Sequence, residues 1–553
     1  MSTPTDSTDA PAITLSINGS PIEVAAGTSV LEASRKAGYE LPTLCHLEGQ
    51  PGFSSCMLCT VKDKETGKTF PSCAISAASG MDIETESDEL SELRKSLLEM
   101  ILSDHSGDCE APCELVCPAS VPIPEIIHLL LNDRPSEAAT LLRERVPLGG
   151  VLERICTAPC EKGCRRAKVD DGVSIRNICR YAADLPYDAD AIVLPPPNPA
   201  LGRVGILGAG PAGLSAAWYL AKAGIAVTVV DEHEHAGGML RYAVPEEELP
   251  RDVLDQEIQL IRSAGVEFDL GKRIGDGISF ADWKSGFDAV VLCPGQITDP
   301  DKLPTNFKDR TPHPRPLHPD QAADIFSLDM AKAGFKVEKS TGGTSESGVF
   351  AAGDASRFLR LAVRAVADGR NVAESVKQFL SKDEVAGPHT MFNCSMGKLN
   401  PEQLKEFAKR GTEDGRFQFS ENPAEPLDKE TILKEAARCM ACDCAARHDC
   451  GLREHSDTYG AKSNRFKPAT PIPYHVDVEH PEIAYDVGKC IRCTICIRLS
   501  ELKNEPVGLA GMGRGIDKKP GPPTGKTWAD ALQKEPIDYC NLCPTAALSR
   551  KTR

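Results

Sequence analysis

Closely spaced cysteines are the feature that most constrains this sequence. Nineteen of its 22 cysteines fall into groups whose spacings are typical of metal ligands. Thiols so close along a chain pair poorly as disulfides, and disulfide scaffolds are typical of short secreted proteins rather than of a chain of 553 residues. Metal ligation therefore explains the pattern better. A chain of this length also predicts three or four domains.

Composition limits where the protein is expected to act and which classes of partner it is expected to bind. Residues 1–12 carry no basic patch followed by an apolar stretch, and no segment approaches the roughly 20 apolar residues that a membrane helix needs. We therefore expect a soluble, cytoplasmic protein with no direct membrane span. The net charge of −17 would repel phosphates, so no nucleic-acid partner is expected.

The first predicted domain, residues 1–87, contains one group of four cysteines. Alternating residues over Ile13–Val24, interrupted by Asn18-Gly19, predict a hairpin, and Ser29 with Glu32 forms a capping box that opens a helix. Strands around a helix, followed by a cysteine-bearing loop, predict a β-grasp ferredoxin-like domain. Four thiolates suit a [2Fe–2S] centre, with buried free thiols as the alternative. The predicted ligands are Cys45, Cys56, Cys59 and Cys73.

The stretches Leu41-Pro42-Thr43-Leu44-Cys45 and Pro71-Ser72-Cys73-Ala74 resemble the start of the large iron–sulfur subunit of respiratory complex I. Related hydrogenase subunits share this domain. The resemblance implies a [2Fe–2S] ferredoxin fold at this end of the chain.

The second predicted domain, residues 88–198, is helical and carries two further cysteine groups. Its stretches 113–118, 123–124 and 156–164 resemble the N-terminal helical domain of glutamate synthase small subunits and of dihydropyrimidine dehydrogenase. That resemblance implies two [4Fe–4S] clusters with interleaved ligands. Carried over by position, one cluster uses Cys109, Cys113 and Cys164, and the other uses Cys117, Cys156, Cys160 and Cys179.

The first of these clusters lacks one thiol, because Ser106 stands where the family has a cysteine. The neighbouring His105 precedes Cys109 at the spacing with which the complex I subunit supplies a histidine ligand. Imidazole is a competent iron ligand and tends to raise a cluster's potential. His105 is therefore the candidate fourth ligand, with a surface or capping histidine as the alternative. Cys179 is a second open assignment, since the family can carry another residue there.

The third predicted domain, residues 199–385, contains a dinucleotide-binding fingerprint. A strand over 204–207 leads into a glycine-rich turn and a helix, and a second strand over 227–230 ends in an acidic residue. The glycines let backbone amides approach a pyrophosphate, and the acid can accept a hydrogen bond from a ribose hydroxyl. The candidate residues are Gly208, Gly210, Pro211, Ala212, Gly213 and Asp231.

Two later motifs, at residues 237–242 and 348–354, resemble motifs of the glutamate synthase small-subunit family. The resemblance implies that the dinucleotide is FAD. In that family a complete NAD(P)H-binding domain interrupts the flavin domain. Here only 52 residues separate Gly295 from Gly348, without a second fingerprint, although one βαβ unit alone takes about 30. The nicotinamide subdomain is expected to be missing, with an unrecognised degenerate fold as the alternative. The implied FAD contacts are Gly237, Gly238, Arg241, Gly353 and Asp354.

The last two predicted domains, residues 386–470 and 471–553, each carry one more [4Fe–4S] site. Structural zinc is the alternative for the first site, whose predicted ligands are Cys439, Cys442, Cys444 and Cys450. The second site begins like a bacterial ferredoxin but has Ser500 in place of the fourth cysteine. Its surroundings resemble the complex I subunit, and its predicted ligands are Cys490, Cys493, Cys496 and Cys543, with Cys540 as the alternative to Cys543.

The sequence thus predicts a multidomain α/β and α+β protein that binds FAD, one [2Fe–2S] and four [4Fe–4S] clusters. Cys293 and Cys394 match no cluster and are expected to be ordinary thiols. The expected function is electron transfer within a larger oxidoreductase, whose partner subunits carry the nicotinamide or substrate site. One alternative is a self-sufficient FAD enzyme that uses ferredoxin or a small acceptor, and another is a structural subunit with vestigial sites. No catalytic acid, base or nucleophile is assigned.

Overall fold

A computed structural model describes residues 11–192, 194–299, 316–357, 361–466 and 475–551. The chain forms two units, each assembled from separate stretches. The first comprises Met1–Ala111, Met391–Phe407 and Cys442–Arg553, and the second comprises Pro112–Thr390 and Ala408–Ala441. The division into five domains stays a prediction, because each unit combines parts of several of them.

The N-terminal part of the first unit is a five-stranded sheet against one helix, Val30–Lys36. The predicted hairpin is confirmed, with Ile17 opposite Ser20 and with Asn18 and Gly19 at φ of 50° and 81°. The predicted capping box of Ser29 is also present. The strand order is β2-β1-β5-β3-β4, where the strands are β1 (Ala12–Ile17), β2 (Ser20–Ala25), β3 (Thr60–Asp63), β4 (Thr69–Pro71) and β5 (Asp82–Glu84).

Helix Asp88–Asp104 packs onto this sheet through one buried arginine. The side chain of Arg94 donates hydrogen bonds to the carbonyl oxygens of Leu58, Thr60 and Thr85 at 2.7 to 3.2 Å. The helix that the sequence places in the second domain is therefore fixed to the ferredoxin-like sheet.

Six helices begin the second unit and bury an apolar core that includes Ile126, Leu142 and Ile178. Prolines at the first turns of several of them suit helix N-termini, where the missing amide hydrogen costs nothing. The six helices are Pro112–Val116, Ile123–Leu131, Pro135–Arg145, Gly149–Ile155, Pro159–Gly163 and Ile175–Asp184.

A parallel five-stranded sheet follows, which confirms the predicted Rossmann-like fold. Its order is β12-β9-β6-β7-β8, where the strands are β6 (Arg203–Leu207), β7 (Ala226–Asp231), β8 (Glu267–Leu270), β9 (Ala289–Leu292) and β12 (Val349–Ala351). Parallel strands need crossover helices on the faces of the sheet. Helices associated with this fold are Pro211–Ala221, Met239–Tyr242, Arg251–Ser263, Phe280–Lys284 and Ala362–Leu380.

The interval that the sequence predicts to lack a nicotinamide domain is only partly described, because residues 300–315 lie outside the described part. Residues 316–347 form helix Pro319–Phe326 and a small hairpin of β10 (Met330–Ala331) and β11 (Gly334–Phe335). No βαβ unit occurs within this described stretch.

Short elements complete the two units. Residues 401–437 contain helices Pro401–Ala408 and Lys429–Ala437. The C-terminal part of the first unit has helices Gly451–Thr458, Ile495–Leu502, Trp528–Ala531 and Pro536–Asn541. Its strands are β13 (Val476–Asp477), β14 (Ile483–Asp486), β15 (Ala510–Met512), β16 (Lys519–Gly521) and β17 (Leu548–Arg550). Within the described ranges, no helix has the length and apolarity required to cross a bilayer.

Candidate iron–sulfur and dinucleotide sites

The four thiols predicted to bind a [2Fe–2S] centre lie together beside the N-terminal sheet. The sulfur atoms of Cys45 and Cys56 are 3.4 Å apart, and Cys59 and Cys73 form a second hydrogen-bonded pair. All four side chains are buried, at 1 to 5% exposure. Burial of four neighbouring thiols fits a metal cluster better than solvent-facing redox chemistry.

Hydrogen bonds within these pairs set different pKa values for the two partners. The thiol of Cys56 lowers the pKa of Cys45 to about 5, and the thiol of Cys59 lowers the pKa of Cys73 to about 6. The pKa values of Cys56 and Cys59 are raised in turn. One thiol of each pair is therefore favoured as the thiolate, the form that binds iron.

Gly52 lets the cysteine loop close over this pocket. A Cβ atom at Gly52 would lie 2.1 Å from the carbonyl oxygen of Cys73, so any side chain would force the two segments apart.

The C-terminal ferredoxin-like thiols line one apolar cavity. Cys490, Cys493, Cys496 and Cys543 all face it, whereas Cys540 is not among its lining residues. Burial raises the pKa of Cys493 to about 12 and raises that of Cys496 as well. The hydroxyl of Ser500 instead donates a hydrogen bond to the carbonyl oxygen of Ile497 at 2.7 Å. The arrangement supports Cys543 as the fourth ligand, and this assignment stays a prediction.

The second predicted cubane site lies within the second unit. Four thiols interact electrostatically there, and they are Cys117, Cys156, Cys160 and Cys179. Glu153, which the sequence did not single out, acts on the same thiols, and burial raises its pKa to about 8. Helix Gly149–Ile155 carries Glu153 to the site, one turn before Cys156.

The ligands predicted for the first cubane are divided between the units. His105 and Cys109 belong to the first unit, whereas Cys113 and Cys164 belong to the second. Burial and the nearby Lys489 ammonium lower the pKa of His105 to about 4, so its imidazole is neutral at pH 7. Its Nδ1 atom is buried without a hydrogen-bond partner. A neutral ring suits ligation, and this ligand set stays a prediction.

The predicted set of Cys439, Cys442, Cys444 and Cys450 is also divided, since Cys439 belongs to the second unit and the other three to the first. The backbone amide of Cys444 donates to the carbonyl oxygen of Cys109 at 3.2 Å. Cys394, which the sequence leaves as an ordinary thiol, contacts Cys109. Cys293 is buried apart from these groups, and its pKa is raised to about 12 by burial.

Within the described ranges, no three His, Cys, Asp or Glu side chains stand close enough to hold a single metal ion. The ligands of an iron–sulfur cluster surround a polynuclear core, so they are spaced more widely than the ligands of one ion. This finding therefore bears on single-ion geometry only.

The dinucleotide fingerprint occupies the turn between β6 and helix Pro211–Ala221. Gly208 has φ of 106°, and a Cβ there would lie 2.1 Å from the carbonyl oxygen of Cys293. A Cβ at Gly213 would lie 2.0 Å from the carbonyl oxygen of Gly208. A Cβ at Gly210, by contrast, would meet nothing within 4 Å. Two glycines thus close the turn, and the third leaves an open approach to the helix N-terminus.

The two later motifs converge on this turn. The amide of Gly237 donates to the carbonyl oxygen of Ala209 at 2.9 Å, and a Cβ at Gly238 would lie 2.8 Å from the Cα of Gly210. A Cβ at Gly353 would lie 2.8 Å from the Cβ of Ala212. Asp354 lies in the same short 3-10 turn as Gly353, at the end of β12. The predicted contacts therefore meet at one place in the second unit.

Two predicted charged contacts are engaged by the protein itself. Asp231 accepts hydrogen bonds from the amides of Ala209 and His233 at 2.7 and 2.9 Å, and one further from the His233 ring. Each carboxylate oxygen has two acceptor sites, so capacity for a ribose hydroxyl is left. Arg241 donates to the carbonyl oxygen of Ala236 and pairs with Asp255.

Sequence reasoning missed Asp368 of helix Ala362–Leu380. Its carboxylate accepts a hydrogen bond from the amide of Gly353 at 2.6 Å and pairs with Arg357. It therefore holds the late glycine motif in place. Its position 15 residues after Gly353 belongs to no recognisable local motif.

Three family descriptions match parts of the chain. Residues 10–88 match a 2Fe-2S iron-sulfur cluster binding domain, and residues 102–190 match dihydropyrimidine dehydrogenase domain II, 4Fe-4S cluster. Residues 206–268 match an NAD(P)-binding Rossmann-like domain. The three matches confirm the predicted ferredoxin-like, cluster-binding and Rossmann-like parts.

Homologues of the chain are subunits of oxidoreductases. The NADPH-Fe(3+) oxidoreductase subunit beta of Geobacter sulfurreducens is 39% identical over 188 residues, which are 34% of this chain and 28% of that protein. The NADP(+)-dependent formate dehydrogenase subunit beta of Moorella thermoacetica is 37% identical over 209 residues, covering 34% of this chain and 29% of that protein. The NAD-dependent dihydropyrimidine dehydrogenase subunit PreT of Escherichia coli is 34% identical over 211 residues, covering 38% and 51%. The chain thus spans about half of these relatives' length or less.

Proposed function

We propose that this chain is an electron-transfer subunit of a multisubunit cytoplasmic oxidoreductase. In this role it relays electrons between FAD and its iron–sulfur clusters, and it passes them to partner subunits that carry the nicotinamide or substrate site. The observation that carries the proposal is a direct link between the dinucleotide fold and a cysteine group. Arg370, on the helix behind the fingerprint, donates to the carbonyl oxygen of Ala119 at 3.0 Å, two residues after Cys117.

The packing around the hydrogen bond of Arg370 with Ala119 supports a short electron-transfer path within the second unit. One apolar core contains Ala212 of the fingerprint, Val363 and Val366 of the helix, and the thiols of Cys117 and Cys179. A well-packed core holds its groups at fixed separations. Because electron transfer slows steeply with distance, fixed and short separations are what a relay requires.

Packing in the first unit supports a second electron-transfer path. Cys45, Cys56, Cys109 and Cys493, which come from three different cysteine groups, share one apolar cluster. Arg498 lies two residues after Cys496, and its guanidinium donates to the carbonyl oxygen of Cys45 at 2.6 Å. This contact fixes the [2Fe–2S] loop to the C-terminal ferredoxin-like motif.

The residues of the dinucleotide site fit FAD. Gly210 leaves room beside the helix N-terminus, whose dipole favours a pyrophosphate, and Asp231 faces the same turn. When bound, FAD would supply the chemistry that splits an electron pair into single electrons. The chain's own residues position the cofactor and exclude water, and none of them is assigned as an acid or base.

The proposed role makes a clear prediction for the isolated, cofactor-loaded chain. It should contain FAD and about 18 iron atoms, and dithionite should bleach both flavin and clusters. NADH and NADPH should reduce it slowly, because holding a nicotinamide against the flavin supplies roughly 7–11 kcal/mol of the barrier. Anaerobic stopped-flow absorbance checks this. Fast, saturable reduction by NADH would instead favour the self-sufficient enzyme.

A pair of variants tests the link itself. Arg370→Ala should slow electron transfer from flavin to clusters at least several-fold, since it frees the loop that follows Cys117. Arg364→Ala is the matched control, because Arg364 is exposed on the same helix. Equal rates in both variants, with FAD and iron retained, would contradict a relay through this contact.

A further inference from the structure

Three separate stretches of the first unit bring four thiols together around Cys109. Cys109 follows helix Asp88–Asp104, Cys394 lies in the stretch Met391–Phe407, and Cys444 and Cys450 precede helix Gly451–Thr458. In the sequence these thiols fall into different groups, and Cys394 falls into none.

Cys109 and Cys394 pair through both backbone and side chains. The amide of Cys394 donates to the sulfur of Cys109 at 3.3 Å, and the amide of Cys109 donates to the carbonyl oxygen of Cys394 at 3.2 Å. The two thiols are also hydrogen-bonded to each other. Amide-to-sulfur hydrogen bonds of this kind are a common means of tuning cluster ligands.

The other two thiols complete the group. The amide of Cys444 donates to the carbonyl oxygen of Cys109 at 3.2 Å. The sulfur of Cys450 interacts electrostatically with those of Cys109, Cys394 and Cys444. Cys450 also packs against the apolar cluster that contains Cys109 and Cys394. Four thiols thus lie in one region of the first unit, which is the number that a [4Fe–4S] cluster requires.

The environment suits a buried, negatively charged group. Cys109 and Cys394 are 8% and 5% exposed and lie in an apolar cluster with Leu98 and Leu452. Arg453 lies beside Cys109, with its side chain only 5% exposed. Its guanidinium donates to the carbonyl oxygens of Phe392 and Arg447 at 2.8 and 3.0 Å. The same guanidinium pairs with the carboxylate of Glu110, beside Cys109. This buried ion pair thus braces the stretches that carry the thiols.

His105, the ligand that the sequence predicts for the cluster of Cys109, has a different charged neighbour. The charged neighbour of its ring is Lys489, whereas the sulfur of Cys109 is approached by Cys394 and Arg453. An ordinary pair of buried thiols would explain Cys109 and Cys394 alone. It would not account for the backbone contact of Cys444 with Cys109 or for the packing of Cys450 against the same apolar cluster.

We propose that Cys109, Cys394, Cys444 and Cys450 bind one [4Fe–4S] cluster, in which Cys394 takes the place expected for His105. Cys113, Cys164, Cys439 and Cys442 are then not ligands of this cluster. The total of about 18 iron atoms counts the ligand sets predicted from the sequence, and one shared cluster in place of two would give about 14. The inference rests on the proposed function only in that the chain holds iron–sulfur clusters, and it is independent of the partners.

Substitution of Cys394 tests the assignment. In the anaerobically prepared holoprotein, Cys394→Ala should lose between one and four iron atoms and should convert or abolish one [4Fe–4S] EPR signal. Cys444→Ala should affect the same signal. Cys293→Ala is the matched control, since Cys293 is an equally buried thiol outside every group, and it should keep all iron and all signals.

A conservative variant keeps the test decisive if Cys394→Ala does not fold. Cys394→Ser should retain the fold and shift one cluster signal, because an oxygen would replace sulfur at one iron. Unchanged iron and spectra in Cys394→Ser, or loss of this signal in His105→Ala with Cys394→Ala silent, would overturn the assignment. Absence of iron from the unsubstituted chain would refute the proposed function instead.

Discussion

The [2Fe–2S] site and the thiol group around Cys109 are built in opposite ways. The first takes all its thiols from residues 45–73 of one stretch, and its spacing alone predicts it. The second joins Cys109 to Cys394 across 285 residues of sequence. Local spacing therefore identifies a site whose loop closes on itself. A site assembled from distant stretches is visible only after the chain has folded.

The largest predicted effect is the loss of the [2Fe–2S] cluster, whose ligands lie close together in the sequence. Gly52→Val should abolish the [2Fe–2S] cluster, because a side chain there collides with the backbone of Cys73 at 2.1 Å. Iron should fall by about two atoms, and the [2Fe–2S] EPR signal should vanish while the [4Fe–4S] signals stay. Gly415→Val, at a glycine with nothing within 4 Å, should change neither. A [2Fe–2S] signal of full intensity in Gly52→Val would show that the loop can open without losing the cluster.

The next largest effect concerns the stability of the contact between helix Asp88–Asp104 and the N-terminal sheet beside the [2Fe–2S] site. Arg94→Ala should lower the free energy of unfolding of the first unit by about 3 kcal/mol, since it leaves three buried carbonyl oxygens unpaired. Urea titration followed by cluster absorbance measures this. Arg514→Ala, at an exposed arginine of the same unit, should cost less than about 0.5 kcal/mol. Similar midpoints for the two variants would mean that the helix is fixed by other contacts.

A smaller effect is expected at the assembled site. Arg453→Gln should lower the reduction potential of one cubane by on the order of 50–100 mV, because a buried positive charge near Cys109 stabilises the reduced cluster. Arg453→Lys should restore most of the potential while losing the forked hydrogen bonds. Lys398→Gln, at an exposed lysine in the same stretch as Cys394, is the control for charge alone. Redox titration followed by EPR measures the potential. An unchanged potential in Arg453→Gln would contradict the placement of Arg453 beside the cluster.

The smallest effect is a pH dependence at another contact between distant residues. Glu257 accepts a hydrogen bond from the amide of Gly150 at 3.0 Å, and burial raises its pKa. The folded state thus holds this proton more tightly than the unfolded state. The free energy of unfolding should therefore fall as the pH rises from the ordinary carboxyl pKa of 4.5 through the higher pKa of the folded state.

Glu257→Gln should remove that slope and make the second unit more stable at pH 8, since glutamine keeps the acceptor without the charge. Thermal unfolding at pH 5 and pH 8 measures the difference. Glu248→Gln, at an exposed carboxylate of the same unit, should leave the slope in place. An unchanged slope in Glu257→Gln would place the dependence on another group.

Sequence reasoning predicted those parts of the fold that repeat or close locally. The hairpin at Asn18-Gly19, the capping box at Ser29 and the strand, turn and helix of the fingerprint are confirmed. It did not predict that Asp368 holds Gly353, or that helix Asp88–Asp104 belongs with the ferredoxin-like sheet. Both features depend on contacts between residues that no local pattern relates.

The sequence by itself determined the chemistry that this protein can hold. Runs of cysteine indicate iron–sulfur clusters, and the glycine-rich turn with Asp231 indicates a dinucleotide, because thiolate number and backbone clearance are local properties. Only the tertiary structure decided which thiols face one another. A cluster binds the sulfur atoms that the fold brings close together. Sequence spacing does not predict that proximity for Cys109, Cys394, Cys444 and Cys450, because tertiary contacts produce it.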